Sequence, residues 1–184
     1  LKGSSYRQWV EAIKSYRIDH SQEIKYWEKI LSDYDRKNHE IHKLIINEDT
    51  QNSVALELSL EKTRKLLRDS HKAYHTQIND RLLTAFAYML SSITSSKVNY
   101  IILEGHGRED IDPQIDITRT LGWFTTMYPV RLEIKESIGN SLKNIKEILR
   151  GIPNKGIGYG SLIGYKDEHL PRVRFNYLGQ FEGE

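Results

Sequence analysis

Apolar positions in the first part of the chain recur at helical spacing. Trp9, Ile13 and Tyr16 share one face over residues 4–19, with Ser4 or Ser5 placed to cap the first turn. A second helix is predicted over 21–34 behind Ser21, with Ile24, Trp27 (or Tyr26), Ile30 and Leu31 as its stripe. The charged run 33–40 then reads as a surface loop or linker. Val54, Leu56, Leu58 and Leu60 alternate with Ala55, Glu57 and Ser59, which predicts a half-buried strand over 54–60. A polar helix over 61–69 follows, and a stronger one over 79–92 turns Leu82, Leu83, Phe86, Met89 and Leu90 inward. Residues 98–103 are nearly continuously apolar, as in a strand buried on both faces. Residues 123–134 alternate again and include Pro129, which has no N–H to give a sheet, so an edge or bulge is expected there. An amphipathic helix over 138–152 stops ahead of Pro153, because a residue before proline disfavours the helical conformation. Glycines at 156, 158, 160 and 164 punctuate a tight segment, and 172–178 reads as a last strand. Helices and strands interleave, so the class is α/β or α+β: residues 54–178 in one mixed β-sheet flanked by helices, with 4–34 packed on it as two helices.

Composition narrows the function more by exclusion than by suggestion. The 184 residues suit one domain. Lys and Arg number 27 against 25 Asp and Glu, too even a balance for a dedicated nucleic-acid or anionic-membrane surface. Apolar residues at 38% and aromatics at 10% exclude disorder. There is no cysteine, which removes disulfides, thiolate zinc sites and cysteine nucleophiles and is compatible with a reducing compartment. No stretch has the length of a membrane span, and the start, Leu-Lys-Gly-Ser-Ser, has neither an initiator Met nor a signal-peptide core. A cytoplasmic location is expected, and the chain reads as a piece of something longer.

Three stretches could carry chemistry. Leu103-Glu104-Gly105-His106-Gly107-Arg108-Glu109 ends the apolar strand with two carboxylates, an imidazole and a guanidinium between two glycines. Crevices beyond strand ends are common ligand sites in open α/β sheets. In an extended chain Glu104, His106 and Arg108 would point to one face, and Glu104, nearest the apolar strand, would be desolvated and suited to proton transfer. A polar strand terminus with turn glycines fits the same spacing. Arg119-Thr120-Leu121-Gly122-Trp123-Phe124-Thr125-Thr126-Met127-Tyr128-Pro129 reads first as a core strand. Pro153-Asn154-Lys155-Gly156-Ile157-Gly158-Tyr159-Gly160 is a weak phosphate loop, since no strand leads into it and no GKS or GKT follows. His39 with His42, and His71 with His75, have chelate-like spacing without the neighbouring acid of a metalloprotease, so no metal is expected.

Taken together, the stretches resemble the epimerization domains of nonribosomal peptide synthetases. Asp80-Arg81-Leu82-Leu83-Thr84-Ala85, the segment 104–109, the segment 119–129, the segment 153–160 and Phe175-Asn176-Tyr177-Leu178-Gly179-Gln180-Phe181 stand in that family's order. Tyr74-His75-Thr76-Gln77-Ile78-Asn79 also fits, and Leu121, where valine is commoner, is a small departure. The family's His-His-x-x-x-Asp motif is absent, since no two of the seven histidines are adjacent. The resemblance therefore covers the C-terminal half: a chloramphenicol-acetyltransferase-like lobe over 1–184, with 1–40 as a helical lead-in from a missing N-terminal lobe.

The resemblance implies an enzyme fragment. The family inverts Cα (L to D) of an aminoacyl or peptidyl thioester carried on the phosphopantetheine arm of a peptidyl carrier protein. It implies Glu104 and Tyr177 as catalytic residues, with Arg108, Asn176, His106 and Trp123 as substrate-binding positions. Tyr177 and Asn176 would share a site only where their strand bends or ends. No cofactor is bound directly; phosphopantetheine comes with the carrier. The partners implied are that carrier and the missing lobe, with neither nucleic acid nor membrane. A condensation-type, peptide-bond-forming domain and a non-catalytic carrier-docking lobe are the alternatives, and the fragment alone is expected not to epimerize.

Overall fold

A computed structural model describes residues 3–37, 52–69 and 75–179. Its elements are α1 (Tyr6–Asp19), α2 (Ile24–Lys37), α3 (Leu60–Arg64), α4 (Ile78–Thr94), β1 (Val98–Gly105), β2 (Thr126–Glu133), α5 (Ile138–Arg150), α6 (Tyr159–Leu162) and β3 (Arg174–Phe175). Short 3-10 turns occupy Ser21–Glu23, Pro153–Gly156 and Asp167–His169, and a π turn occupies Lys65–Asp69. The three strands lie in the order β2-β1-β3. β1 and β3 are parallel, with Ile102 opposite Arg174 and Leu103 opposite Phe175. The expected class, a small mixed sheet flanked by helices, is the one observed.

Local chemistry accounts for most element starts. Ser5 is the cap of α1: its hydroxyl accepts from the Gln8 N–H while the Gln8 side chain accepts from the Ser5 N–H at 2.7 Å. Asp80 does the reciprocal work for α4, accepting the Gln77 N–H at 2.8 Å, which gives this buried acid a structural task. α5 ends at Arg150, short of Pro153 as expected.

The chain divides into two compact units, one of residues 1–36, 100–131 and 150–184, the other of 37–99 and 132–149. In the first, the core is aromatic. Trp27 is fully buried, with ring centroids 5.1 Å from Tyr159 and 6.2 Å from Tyr128. Trp9 and Tyr6 pack edge-on against Phe124, and Ile101 and Ile102 fill the middle of β1. Asp33 accepts the Tyr100 hydroxyl and pairs with Arg131 at 3.1 Å. In the second unit, Leu83, Ala87 and Leu90 form the inner stripe of α4, and Leu132, Leu142 and Ile145 are buried. Ser141, also buried, bonds the Lys135 N–H at 2.8 Å and the Tyr88 hydroxyl at 3.0 Å.

Several expectations need correction. Residues 54–59 form no strand: the segment pairs with none of the strands among the described residues, and Val54 is 97% and Leu56 89% exposed. Alternation supplies a face to bury, but a strand also needs a neighbour to take its N–H and C=O groups. The run 33–40 is not a loop throughout, because α2 continues to Lys37; residues 38–40 lie outside the described residues. β2 starts at Thr126 rather than 123, and β3 holds only two residues of the expected 172–178. Met89 is exposed, while Leu82 and Phe86 are half-buried. His39, His42 and His71, as well as Gln180 and Phe181, lie outside the described residues. Among the described residues no helix is long and apolar enough to cross a membrane, and no cluster of three metal-ligating side chains occurs.

Candidate active site

β1 delivers Glu104 to the end of the sheet. Burial stops at Leu103, and Glu104 itself is exposed, so the desolvation expected from the apolar strand is not present in this chain. β3 ends at Phe175, and the chain leaves the strand at Asn176 and Tyr177, the condition required for both to reach one site. Asn176 Nδ2 donates to Glu104 Oε2 at 3.1 Å. This pairing joins two stretches 72 residues apart that the sequence singled out separately. Tyr177 is half-buried beside it in the chain. Among the described residues Glu104 Oε1 has no hydrogen-bond partner.

The expected alignment of Glu104, His106 and Arg108 on one face does not form. Extended backbone ends at Gly105, and Gly107 takes φ of 68°, a left-handed conformation that turns the chain. A Cβ on Gly107 would lie 1.5 Å from the Phe124 carbonyl oxygen, so the two segments touch where only glycine fits.

Around that turn His106, Arg108 and Glu109 each find a partner. Arg108 donates from Nη1 to the Ile117 carbonyl at 2.6 Å and from Nη2 to the Thr120 carbonyl at 2.9 Å. Its guanidinium also lies 3.9 Å above the Phe124 ring. Arg108 therefore shapes the loop that leads to Trp123. His106, 65% exposed at its side chain, sits 3.1 Å from Glu109 Oε1, and Glu109 Oε2 pairs with Lys155 Nζ at 2.8 Å.

Trp123 stands elsewhere. Its carbonyl accepts the Tyr6 hydroxyl at 2.8 Å, and the residue, 79% exposed, borders a cleft of about 540 Å³ shared with Trp9, Ile13, Arg17, Phe124 and Tyr165. Thr126 lines the same cleft, and its hydroxyl lies 2.9 Å from where a Cβ on Gly105 would be. Successive side chains of a strand point to opposite faces. The Thr126 hydroxyl thus lies on the Gly105 side of β1, opposite Glu104. The structure brings Glu104 and Asn176 together and leaves Trp123 apart.

Two features escaped the sequence. Glu23, 7% exposed, accepts from the buried Tyr16 and from the exposed Asn154. Its position one turn before Trp27, on the face that continues to Leu31 and Tyr34, is the signal that could have revealed a buried acid. The Tyr16 phenol is raised well above its ordinary pKa by burial and by the Glu23 carboxylate. Lys155 as the partner of Glu109 left no sequence signal at all.

The condensation-domain family model matches residues 1–184. Bacitracin synthase 3 of Bacillus licheniformis is 41% identical over 100% of this chain and 3% of its own length. Surfactin synthase subunit 2 of Bacillus subtilis (strain 168) is 39% identical over 100% of this chain and 5% of its own. Gramicidin S synthase 1 of Brevibacillus brevis is 39% identical over 98% of this chain and 18% of its own. The chain is thus a small part of the length of these relatives. Among solved structures, the epimerization domain from the third module of tyrocidine synthetase B superposes with a TM-score of 0.73 at 34% identity, covering 99% of this chain and 45% of that one. The first condensation domain of the calcium-dependent antibiotic synthetase, in complex with a substrate analogue, has a TM-score of 0.59 at 15% identity over 84% of this chain and 35% of its own, which speaks for the fold alone.

Proposed function

The chain belongs to the condensation-domain family, and on that footing we propose that it is the Glu104-bearing lobe of a nonribosomal peptide synthetase epimerization domain. The observation that carries this reading is the Glu104–Asn176 pair, set in a chain that is 34% identical along 99% of its length to a solved epimerization domain. The reaction is L-to-D inversion at Cα of an aminoacyl or peptidyl thioester, held on the phosphopantetheine of a peptidyl carrier protein in the cytoplasm.

The chemistry follows from the thioester. Its carbonyl lets an α-carbanion spread charge onto oxygen, so the proton can be taken by a carboxylate and returned on the other face. Glu104 exchanges that proton through Oε1, while Asn176 holds Oε2 and fixes the carboxylate's direction. Tyr177 shares the catalytic role, as the residue that leaves β3 beside Asn176. His106 contacts the carried group, Arg108 acts through the 117–124 loop, and Trp123 binds from the cleft. The second acid–base group belongs to the lobe that this chain does not contain.

The test uses the complete synthetase domain charged with an aminoacyl carrier protein, following solvent deuterium into Cα. Glu104→Gln keeps shape and hydrogen bonding but loses the titrating group, and should slow exchange by about 10²–10⁴-fold with carrier binding nearly unchanged. Glu109→Gln should have the smaller effect. Full activity in Glu104→Gln would remove the acid–base reading. The isolated chain should give no exchange; exchange there at the rate of the complete domain would contradict the need for a second lobe. A condensation-type role is the second reading, supported by the family model itself. Peptide-bond formation without α-deuteration by the complete domain would favour it.

A further inference from the structure

Two glycine-punctuated segments meet in one carboxylate. Glu109, its side chain 15% exposed, faces His106 Nε2 at 3.1 Å with one oxygen and Lys155 Nζ at 2.8 Å with the other. His106 Nδ1 accepts the Arg108 N–H at 3.0 Å. A nitrogen that accepts carries no proton, so the ring's hydrogen lies on Nε2, directed at Glu109. The arrangement selects one neutral tautomer of His106.

Lys155 reaches Glu109 from an unusual backbone. Asn154, Lys155 and Gly156 have φ of 39°, 51° and 80°, three left-handed residues in a row. Two non-glycine residues persist there only where their surroundings hold them. What holds them rests on two buried groups, Tyr16 and Glu23. Asn154 Nδ2 donates to Glu23 Oε1 at 2.8 Å and to the Tyr16 phenol oxygen at 2.6 Å, and the Tyr16 hydroxyl donates to Glu23 Oε1 at 2.6 Å. On the other side Gly156 lies flat against the Tyr128 ring, where a Cβ would come within 2.1 Å.

We propose that Glu23 and Asn154 are positioning residues for His106: they lock the left-handed turn that delivers Lys155 to Glu109, and Glu109, so held, fixes the Nε2–H tautomer. The inference rests on the epimerization reading only for what His106 touches. A site that needs one ring nitrogen as donor gains a defined His106 from a knot formed by α1, the turn after it and the segment ahead of α6.

The experiment is a long-range proton–nitrogen correlation spectrum of this chain labelled with ¹⁵N-histidine, with His106→Gln to identify the ring's two resonances. The parent should show one protonated and one bare nitrogen for His106. Asn154→Gly removes the amide but suits the backbone, and Lys155→Met changes a side chain that is 74% exposed. In both, the two resonances should move toward each other as the tautomers mix, with circular dichroism and the thermal midpoint reporting an intact fold. Glu23→Gln keeps an acceptor oxygen for both donors and should preserve the parent signals. Unchanged His106 resonances in Lys155→Met, or in a folded Asn154→Gly, overturn the proposal. These spectra need no turnover, whereas Glu104→Gln tests epimerization without touching the knot, so the two readings fail separately.

Discussion

The loop that follows β1 and the turn that precedes α6 carry the same vocabulary, polar side chains set between glycines, yet they differ in what becomes of the polar groups. In the first, Glu104, His106 and Arg108 are exposed, and Glu104 keeps an oxygen free among the described residues. In the second, the glycines at 156 and 158 are buried, Asn154 is tied to Glu23 and Tyr16, and Lys155 to Glu109. Glycine serves close packing in both: Gly107 against the Phe124 carbonyl, Gly156 against the Tyr128 ring. Glycine spacing therefore does not mark a ligand loop here. What separates the two regions is that Glu104 carries an accessible oxygen with no partner among the described residues.

The sharpest break in that comparison comes from the glycines themselves. Gly107→Ala meets backbone at 1.5 Å with φ of 68°, and Gly156→Ala meets the Tyr128 ring at 2.1 Å with φ of 80°. Each should lose about 3 kcal/mol or more of stability in urea unfolding, and a loss in only one would show that the glycines do different jobs. Next come the two acids. Glu23→Ala leaves the buried Tyr16 hydroxyl without its acceptor and the Asn154 amide with Tyr16 alone, and should lose about 1–3 kcal/mol, while Glu104→Ala should stay within about 0.5 kcal/mol. Equal losses would erase the distinction between sealed and open polar groups.

Alkaline titration sharpens the picture of the packed side. Burial, with the Glu109 charge second and Tyr26 third, raises the Tyr128 phenol from 10.0 to about 12, and burial with Tyr165 second raises Tyr159 to about 12. Both folded values lie above the unfolded one. Their contribution is therefore complete below about pH 10 and is lost as pH rises through about 12. Phenolate absorbance followed with circular dichroism should show these two rings ionising together with unfolding, after the exposed tyrosines. The smallest effect is expected in the exposed segment ahead of α3: Val54→Ser with Leu56→Ser should change stability by no more than about 0.5 kcal/mol per residue, because both side chains already face solvent.

The last of these substitutions bears on what the amino-acid pattern can reveal. Residues 54–60 and 126–133 alternate equally well, and only the second became a strand. Helix faces were legible because spacing of three and four residues is a property of a single segment, which is why Trp9, Tyr16, Trp27 and Leu31 are buried as read. The Ser5 cap and the stop before Pro153 were legible for the same reason.

For the candidate site, the sequence offered residues and not their geometry. The sequence alone put Glu104 at the end of an apolar strand and Asn176 within a strand over 172–178, and placed both in motifs that resemble one family; that the last strand stops at Phe175 came from the fold. Which side chains meet was decided by the fold: Asn176 on Glu104 across 72 residues, Arg108 on the carbonyls of residues 117 and 120, Asn154 on Glu23 across 131. Local pattern records how a segment hydrogen-bonds and which face it buries. A polar side chain, by contrast, is satisfied by whatever donor or acceptor the packed chain brings within about 3 Å, and that neighbour exists only once distant segments have come together.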